Sequence, residues 1–258
     1  MNPSRTRFQI RQANFHRRGG RGRGARQEAV AFTLIEMLTV IAVIGLLAAL
    51  VAGLSSLTGV KSRQNRIKAE LNLLATAIEN YQADFGHYPP DHQVPQPSPV
   101  LVDPVTNQLF YELSGVIVDN VNQRFYTAGR TETVTSATAK SFFNTDGFAN
   151  ARTDPKAPPR AYFQPKSSQY AEISRAPDVE VLVVPVNWPL PSPFPSPVQP
   201  SGSLPQAEQR RLRQLNPWRY VSTRPTNNVN SFDLWAEWVE RKDVKILSNW
   251  NPEPQDKK

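Results

Sequence analysis

The stretch Ala31-Phe32-Thr33-Leu34-Ile35-Glu36-Met37-Leu38 opens a run that stays almost wholly apolar to Leu54, and no charged residue stands between Met37 and Val60. An uncharged apolar run of about 18 residues reads as a membrane-spanning helix. This one is longer than the core of a secretory signal peptide, and no small-x-small cleavage site stands close behind it. Read alone, it predicts one span with its N-terminus inside.

The flanks extend this reading. Residues 1–31 carry eight arginines (Arg5, Arg7, Arg11, Arg17, Arg18, Arg21, Arg23 and Arg26) against one acid, Glu28. The whole chain has a net charge of +8, so nearly all of its basicity sits in this leader. A basic flank before an apolar run is what the positive-inside rule asks of a cytoplasmic end. Downstream, no proline occurs between Pro3 and Pro89, and Ile67, Leu71, Leu74, Ile78, Tyr81 and Phe85 recur at intervals of three and four. That spacing lines one face of an α-helix. Gly86 offers a stop, with Pro89 and Pro90 beyond it. The expectation is one helix from about Thr33 to Phe85, roughly 80 Å long at about 1.5 Å per residue. Its first half would lie in lipid, and its second would lay the stripe on a soluble domain.

The octad and the run behind it resemble the N-terminal processing and methylation motif of type IV pilins and type II secretion pseudopilins. That motif is a basic leader, a small residue, Phe, Thr-Leu-Ile-Glu and a long apolar segment. The resemblance implies cleavage between Ala31 and Phe32 and N-methylation of Phe32 by a prepilin peptidase and methyltransferase. It implies an assembly role for Thr33, Leu34, Ile35 and Glu36, with the Glu36 carboxylate meeting the N-terminal amine of a neighbouring subunit. The residues also permit a local role, because Thr33-x-x-Glu36 has the form of a capping box. Two positions depart from the family: Ala31 stands where Gly is usual, and Gly53, with Gly45, where a proline often interrupts the helix. Weaker likeness extends to Glu79–Pro89, to Asn216–Tyr220 and to Ser231–Trp235 with Asn249 and Trp250.

Major pseudopilins often bind calcium after the strand that Phe232–Trp235 resembles. Here that stretch offers only Glu237, Glu240 and Asp243, too few oxygens for a calcium shell. No cofactor is therefore expected. The absence of cysteine excludes disulfides and thiolate metal sites. Arg210, Arg211, Arg213, Arg219 and Arg224, interleaved with Trp218 and Tyr220, form the one basic-aromatic cluster that could engage nucleic acid. Their ordinary reading is core aromatics and paired arginines, so nucleic acid is not an expected partner. His87 and His92 stand in a proline-rich stretch without a catalytic partner, and no phosphate loop or nucleophile elbow occurs. Nothing points to an enzyme.

The predicted fold is α+β and pilin-like: a long N-terminal helix, its first half membrane-spanning, packed on a small antiparallel sheet with a loop-rich insertion. The predicted organisation is a leader at 1–31, the membrane half of the helix at 32–60 and its soluble half at 61–88. A proline-rich insertion at 89–213, the sheet at 214–251 and a frayed tail at 252–258 follow. Within the insertion, Leu109–Leu113 reads as a helical turn, Val116–Val118 and Val181–Val184 as strands, and Pro205–Leu215 as a short helix. The predicted function is a structural subunit of a type II secretion pseudopilus or type IV pilus-like filament. Its partners would be the peptidase, copies of itself and other pilin-like subunits, an inner-membrane assembly platform and the membrane. The alternatives are a monomeric membrane-anchored binding module that uses the motif only for export, and a DNA-uptake pilin.

Overall fold

The computed structural model describes residues 32–94, 101–129, 132–154, 156–175 and 178–257, without the side chains of residues 51–58. The basic leader and Ala31 lie outside the described residues. The chain divides into two compact units, Met1–Ala52 and Gly53–Lys258. Helix α1, Leu34–Phe85, runs through the boundary. It ends where Gly86 takes φ +76° and donates its N–H to the Gln82 carbonyl at 2.8 Å. Only glycine adopts that left-handed cap without strain.

In the first unit the large apolar side chains of α1 are exposed, from Leu34 at 83% to Leu38 at 51% and on to Leu50 at 56%. The expectation of a membrane-spanning half is not met: among the described residues no helix is long and apolar enough to cross a membrane. The single-pass inner-membrane placement drawn from that run is corrected accordingly.

The second unit holds the core. β1 (Gln93–Val94) and β2 (Leu101–Val102) form a small ladder. Next come α2 (Leu109–Ser114), β3 (Val116–Asp119), β4 (Arg124–Thr127), β5 (Thr133–Thr135), α3 (Ser136–Phe143) and β6 (Ala151–Arg152). Their strands make a sheet in the order β5-β4-β3-β6, antiparallel except for the parallel pair β3–β6. β7 (Tyr170–Arg175) and β8 (Asp178–Leu182) form a hairpin with an irregular register between Glu172 and Ser174. After α4 (Gln206–Gln214), β9 (Arg219–Val221), β10 (Asp233–Glu240), β11 (Asp243–Ser248) and β12 (Gln255–Asp256) form a fully antiparallel sheet in the order β12-β11-β10-β9.

The α+β expectation of one small sheet and a loop-rich insertion is thereby corrected to a mixed α/β architecture with several sheets. Residues 89–213 hold more than loop. They supply eight of the strands just named and three short helices. Four of those strands, β1, β2, β5 and β6, span only two or three residues, too short to display a two-residue alternation in sequence. The tail is corrected too. β12 pairs with β11 through Lys245↔Asp256 and Ile246↔Gln255, and Lys68 reaches Glu253 at 3.2 Å.

The stripe Ile67, Leu71, Leu74, Ile78 and Tyr81 is buried, at no more than 3% exposure. It shares one core with Trp218, Tyr220, Leu234, Trp238 and Leu247 of the C-terminal sheet and with Leu109, Phe110 and Val181 of the insertion. Each such side chain contributes roughly 1.5–3 kcal/mol on burial. Gly115 joins α2 to β3 at φ +72°, and a Cβ there would stand 2.8 Å from Pro159 Cγ. That position needs glycine for both its backbone and its space.

Candidate functional site

The segment Phe32–Glu36 begins α1 with a closed capping box. Glu36 Oε2 accepts from the Thr33 N–H and from Thr33 Oγ1, both at 2.8 Å, and Thr33 Oγ1 accepts from the Glu36 N–H at 3.2 Å. These bonds satisfy backbone donors that a helix start leaves open. The second oxygen, Oε1, takes no donor among the described residues. Glu36 is thus half engaged in its own helix and keeps one free oxygen. Phe32, Leu34 and Ile35 around it are exposed at 77%, 83% and 62%. An acceptor and a block of exposed hydrocarbon stand side by side, an arrangement suited to a partner that brings both a donor and an apolar surface.

The other sequence candidates separate. Glu237, Glu240 and Asp243 do not converge, and no group of three potential metal ligands occurs among the described residues. Glu237 is buried on β10 beside Arg219 at 3.5 Å and Lys257 at 2.9 Å, and it accepts from Trp235 Nε1. Burial pushes its carboxyl up, but the Arg219 and Lys257 charges overcome this and hold it below the usual range. Glu240 accepts from Gln64 Nε2 and Trp238 Nε1. Asp243 begins the facing strand.

Burial withdraws the aromatics of the basic-aromatic cluster and one of its arginines. Trp218 and Tyr220 are fully buried, Arg219 is 5% exposed, and Arg211 is forked onto Glu208. Arg210, Arg213 and Arg224 are exposed. The Tyr220 hydroxyl donates to the Pro89 carbonyl at 2.7 Å, so this aromatic clasps the exit of α1. His87 Nδ1 lies 2.9 Å from the Tyr88 carbonyl, and His92 Nδ1 is 4.0 Å from Asp103.

Sequence reasoning missed the buried carboxylates. Glu112, 0% exposed, accepts from the Tyr81 hydroxyl and from the N–H groups of Ala149 and Asn150. Glu70 accepts from Trp218 Nε1 at 3.0 Å. Asp233 accepts the N–H groups of Thr226, Asn227 and Asn228 and thereby shapes the loop before β10. Glutamates at 70 and 112 fall on the buried faces of helices, which is the one signal that could have flagged them. Their partners are remote in sequence and carry no local mark.

Glu180 on β8 sets a pH dependence. Its Oε2 accepts from the Tyr111 hydroxyl at 2.5 Å, and Glu172 stands opposite it across the hairpin. Burial, then the neighbouring Glu132 and Glu172 carboxylates, push its carboxyl up to about 7 against the lowering effect of Tyr111. The folded chain then holds a proton that the unfolded chain, with a glutamate value of about 4.3, has released. The sign follows: this contribution is fully present below about pH 4.3 and is lost as pH rises through about 7. Urea unfolding at pH 5 and pH 8 is expected to show a loss of about 2 kcal/mol across that window, after allowance for solvent screening. In Glu180→Gln the loss shrinks by most of that amount. An unchanged pH dependence in the variant would assign the effect to other groups.

Comparison with models of known protein families, with curated proteins and with solved structures finds no match to this chain.

Proposed function

We propose that the chain is a structural subunit of a filament of the type II secretion pseudopilus or type IV pilus kind. Copies associate through the first turns of α1 after a prepilin peptidase cuts between Ala31 and Phe32 and methylates the new N-terminus. The observation that carries this reading is the exposed apolar surface from Phe32 to Leu50, set directly behind the Thr33–Glu36 capping box. A continuous apolar surface of this kind marks an association site. Head-to-tail contacts between identical helices grow filaments where the rotation between copies does not close a ring. The free Oε1 of Glu36 supplies the one polar contact that can fix the register of otherwise slippery apolar helices. The α-amine freed at Phe32 is its natural donor. A buried charge pair of this sort is best attested as a device for register.

Glu36→Gln separates this role from the local one. Glutamine serves in a capping box as glutamate does, so the start of α1 is expected to persist. The charge is gone, and the yield of cross-linked multimers is expected to fall at least tenfold. Multimers at the wild-type level in the Gln variant would remove Glu36 from assembly and leave it a helix cap only.

A further inference from the structure

The second unit carries a cationic recess that the assembly reading does not use. Gly59, Ser62, Arg63 and Arg66 follow one another at the i, i+3, i+4, i+7 spacing of a single helical face, and this face of α1 floors a cavity of about 510 Å³. Its other wall is Pro185, Val186, Asn187 and Pro189 from the proline-rich segment, closed at one end by Val239 of β10. A Cβ at Gly59 would meet nothing within 4 Å, so the floor is open above the helix.

The lining contains two guanidinium groups and no acid. Arg63 and Arg66 are exposed, and neither forms an ion pair among the described residues. The nearby carboxylates are already engaged. Glu240 accepts from Gln64 and Trp238. Glu70, one turn beyond Arg66 and the acid that feels its charge, accepts from Trp218. The exposed side-chain amide of Asn187 likewise makes no hydrogen bond among the described residues. Two forked cations, a hydroxyl and an unengaged amide therefore border one recess. Guanidinium forks match the oxygen spacing of phosphate and bind it by paired, charge-assisted hydrogen bonds.

We propose that this recess is a binding site for a phosphate-type oxyanion, held by Arg63 and Arg66 with Asn187 and Ser62 as neutral donors.

The test is calorimetric titration of the full chain with inorganic pyrophosphate. Two variants that remove the same charge are compared with the wild type. Arg63→Gln/Arg66→Gln empties the recess. Arg124→Gln/Arg152→Gln removes two exposed arginines elsewhere on the same unit and leaves the leader equally intact. Saturable binding that falls at least tenfold in the first pair and less than twofold in the second supports the site. Asn187→Ala, which changes no charge, is expected to weaken binding two- to fivefold. An equal loss in both double variants would mean diffuse attraction to a basic chain, and an absence of saturable binding in the wild type would likewise overturn the proposal. Unfolding midpoints matching the wild type establish that each variant is folded.

Discussion

Replacing Trp218 with alanine is expected to cost about 4–8 kcal/mol of the second unit's unfolding free energy. Trp218 is fully buried, at the centre of the core shared by α1 and the C-terminal sheet. Truncating a buried tryptophan to alanine typically costs about 3–5 kcal/mol through lost transfer energy and the cavity left behind. A second cost adds to it. The indole N–H is a donor to the Glu70 carboxyl, which burial already pushes up from its ordinary range. Without that donor a buried acid is left less satisfied, worth about 1–3 kcal/mol more. The sum approaches the whole stability of a typical domain, about 5–15 kcal/mol. Trp218→Phe keeps most of the volume and isolates the hydrogen bond, so it is expected to lose about half as much. Urea unfolding followed by circular dichroism reads both variants. A loss under 2 kcal/mol in the alanine variant would show that α1 is not anchored through this residue.

The second large effect is expected at Glu112. Its carboxylate joins three parts of the chain: Tyr81 on α1, its own helix α2, and the Ala149–Asn150 backbone leading into β6. The Asn150 side chain returns the contact by donating to the Glu112 carbonyl and to the Arg160 carbonyl. Glu112→Ala strands a tyrosine hydroxyl and two backbone donors in a site with no solvent. Each buried donor left without an acceptor costs about 1–3 kcal/mol, so the three together are expected to cost about 3–5 kcal/mol. Glu112→Gln retains an acceptor oxygen, and its cost is expected near 1–2 kcal/mol. Tyr81→Phe removes one donor and leaves the other two, for about 1 kcal/mol. That ranking, measured by denaturant unfolding, is the signature of the network. Equal losses in the Ala and Gln variants would mean that packing, and not hydrogen bonding, holds this corner.

Much of the second unit's ladder was legible in the sequence because its signals are local. Val116–Val118 and Val181–Val184 are β-branched runs, and they fall on β3 and on β8 with its continuation. Pro205 sets the start of α4, as its fixed φ allows, and Gly86 stops α1. The apolar stripe from Ile67 to Tyr81 named the face of α1 that enters the core. Residues 127–160 were illegible because β5, α3 and β6 are short and polar. What fixes them is remote pairing, such as Arg124↔Thr135 and Val116↔Ala151. The tail gave no sign of β12 because a two-residue strand has no pattern of its own. The apolar run from Met37 misdirected the membrane reading. Its length and lack of charge are those of a span, yet among the described residues no helix is long and apolar enough to cross a membrane.

The candidate site was legible where it is sequential. Thr33 and Glu36 stand three apart, and the capping box forms from them alone. The cationic recess was not, since Arg63 and Arg66 gain meaning only when Asn187 and Val239 arrive from distant parts of the chain. The clustered arginines from 210 to 224 mislead for the opposite reason. They are close in sequence, yet Arg219 turns inward to Glu237 while Arg211 is held by Glu208.

The most direct test of the central claim is intact-mass and N-terminal analysis of the chain purified from a host that carries a prepilin peptidase, beside a peptidase-deficient strain. The account predicts a chain that begins at N-methylated Phe32 when the peptidase is present and retains the arginine leader when it is absent. A chain that keeps its leader in both strains, or is cut at another position, would contradict it.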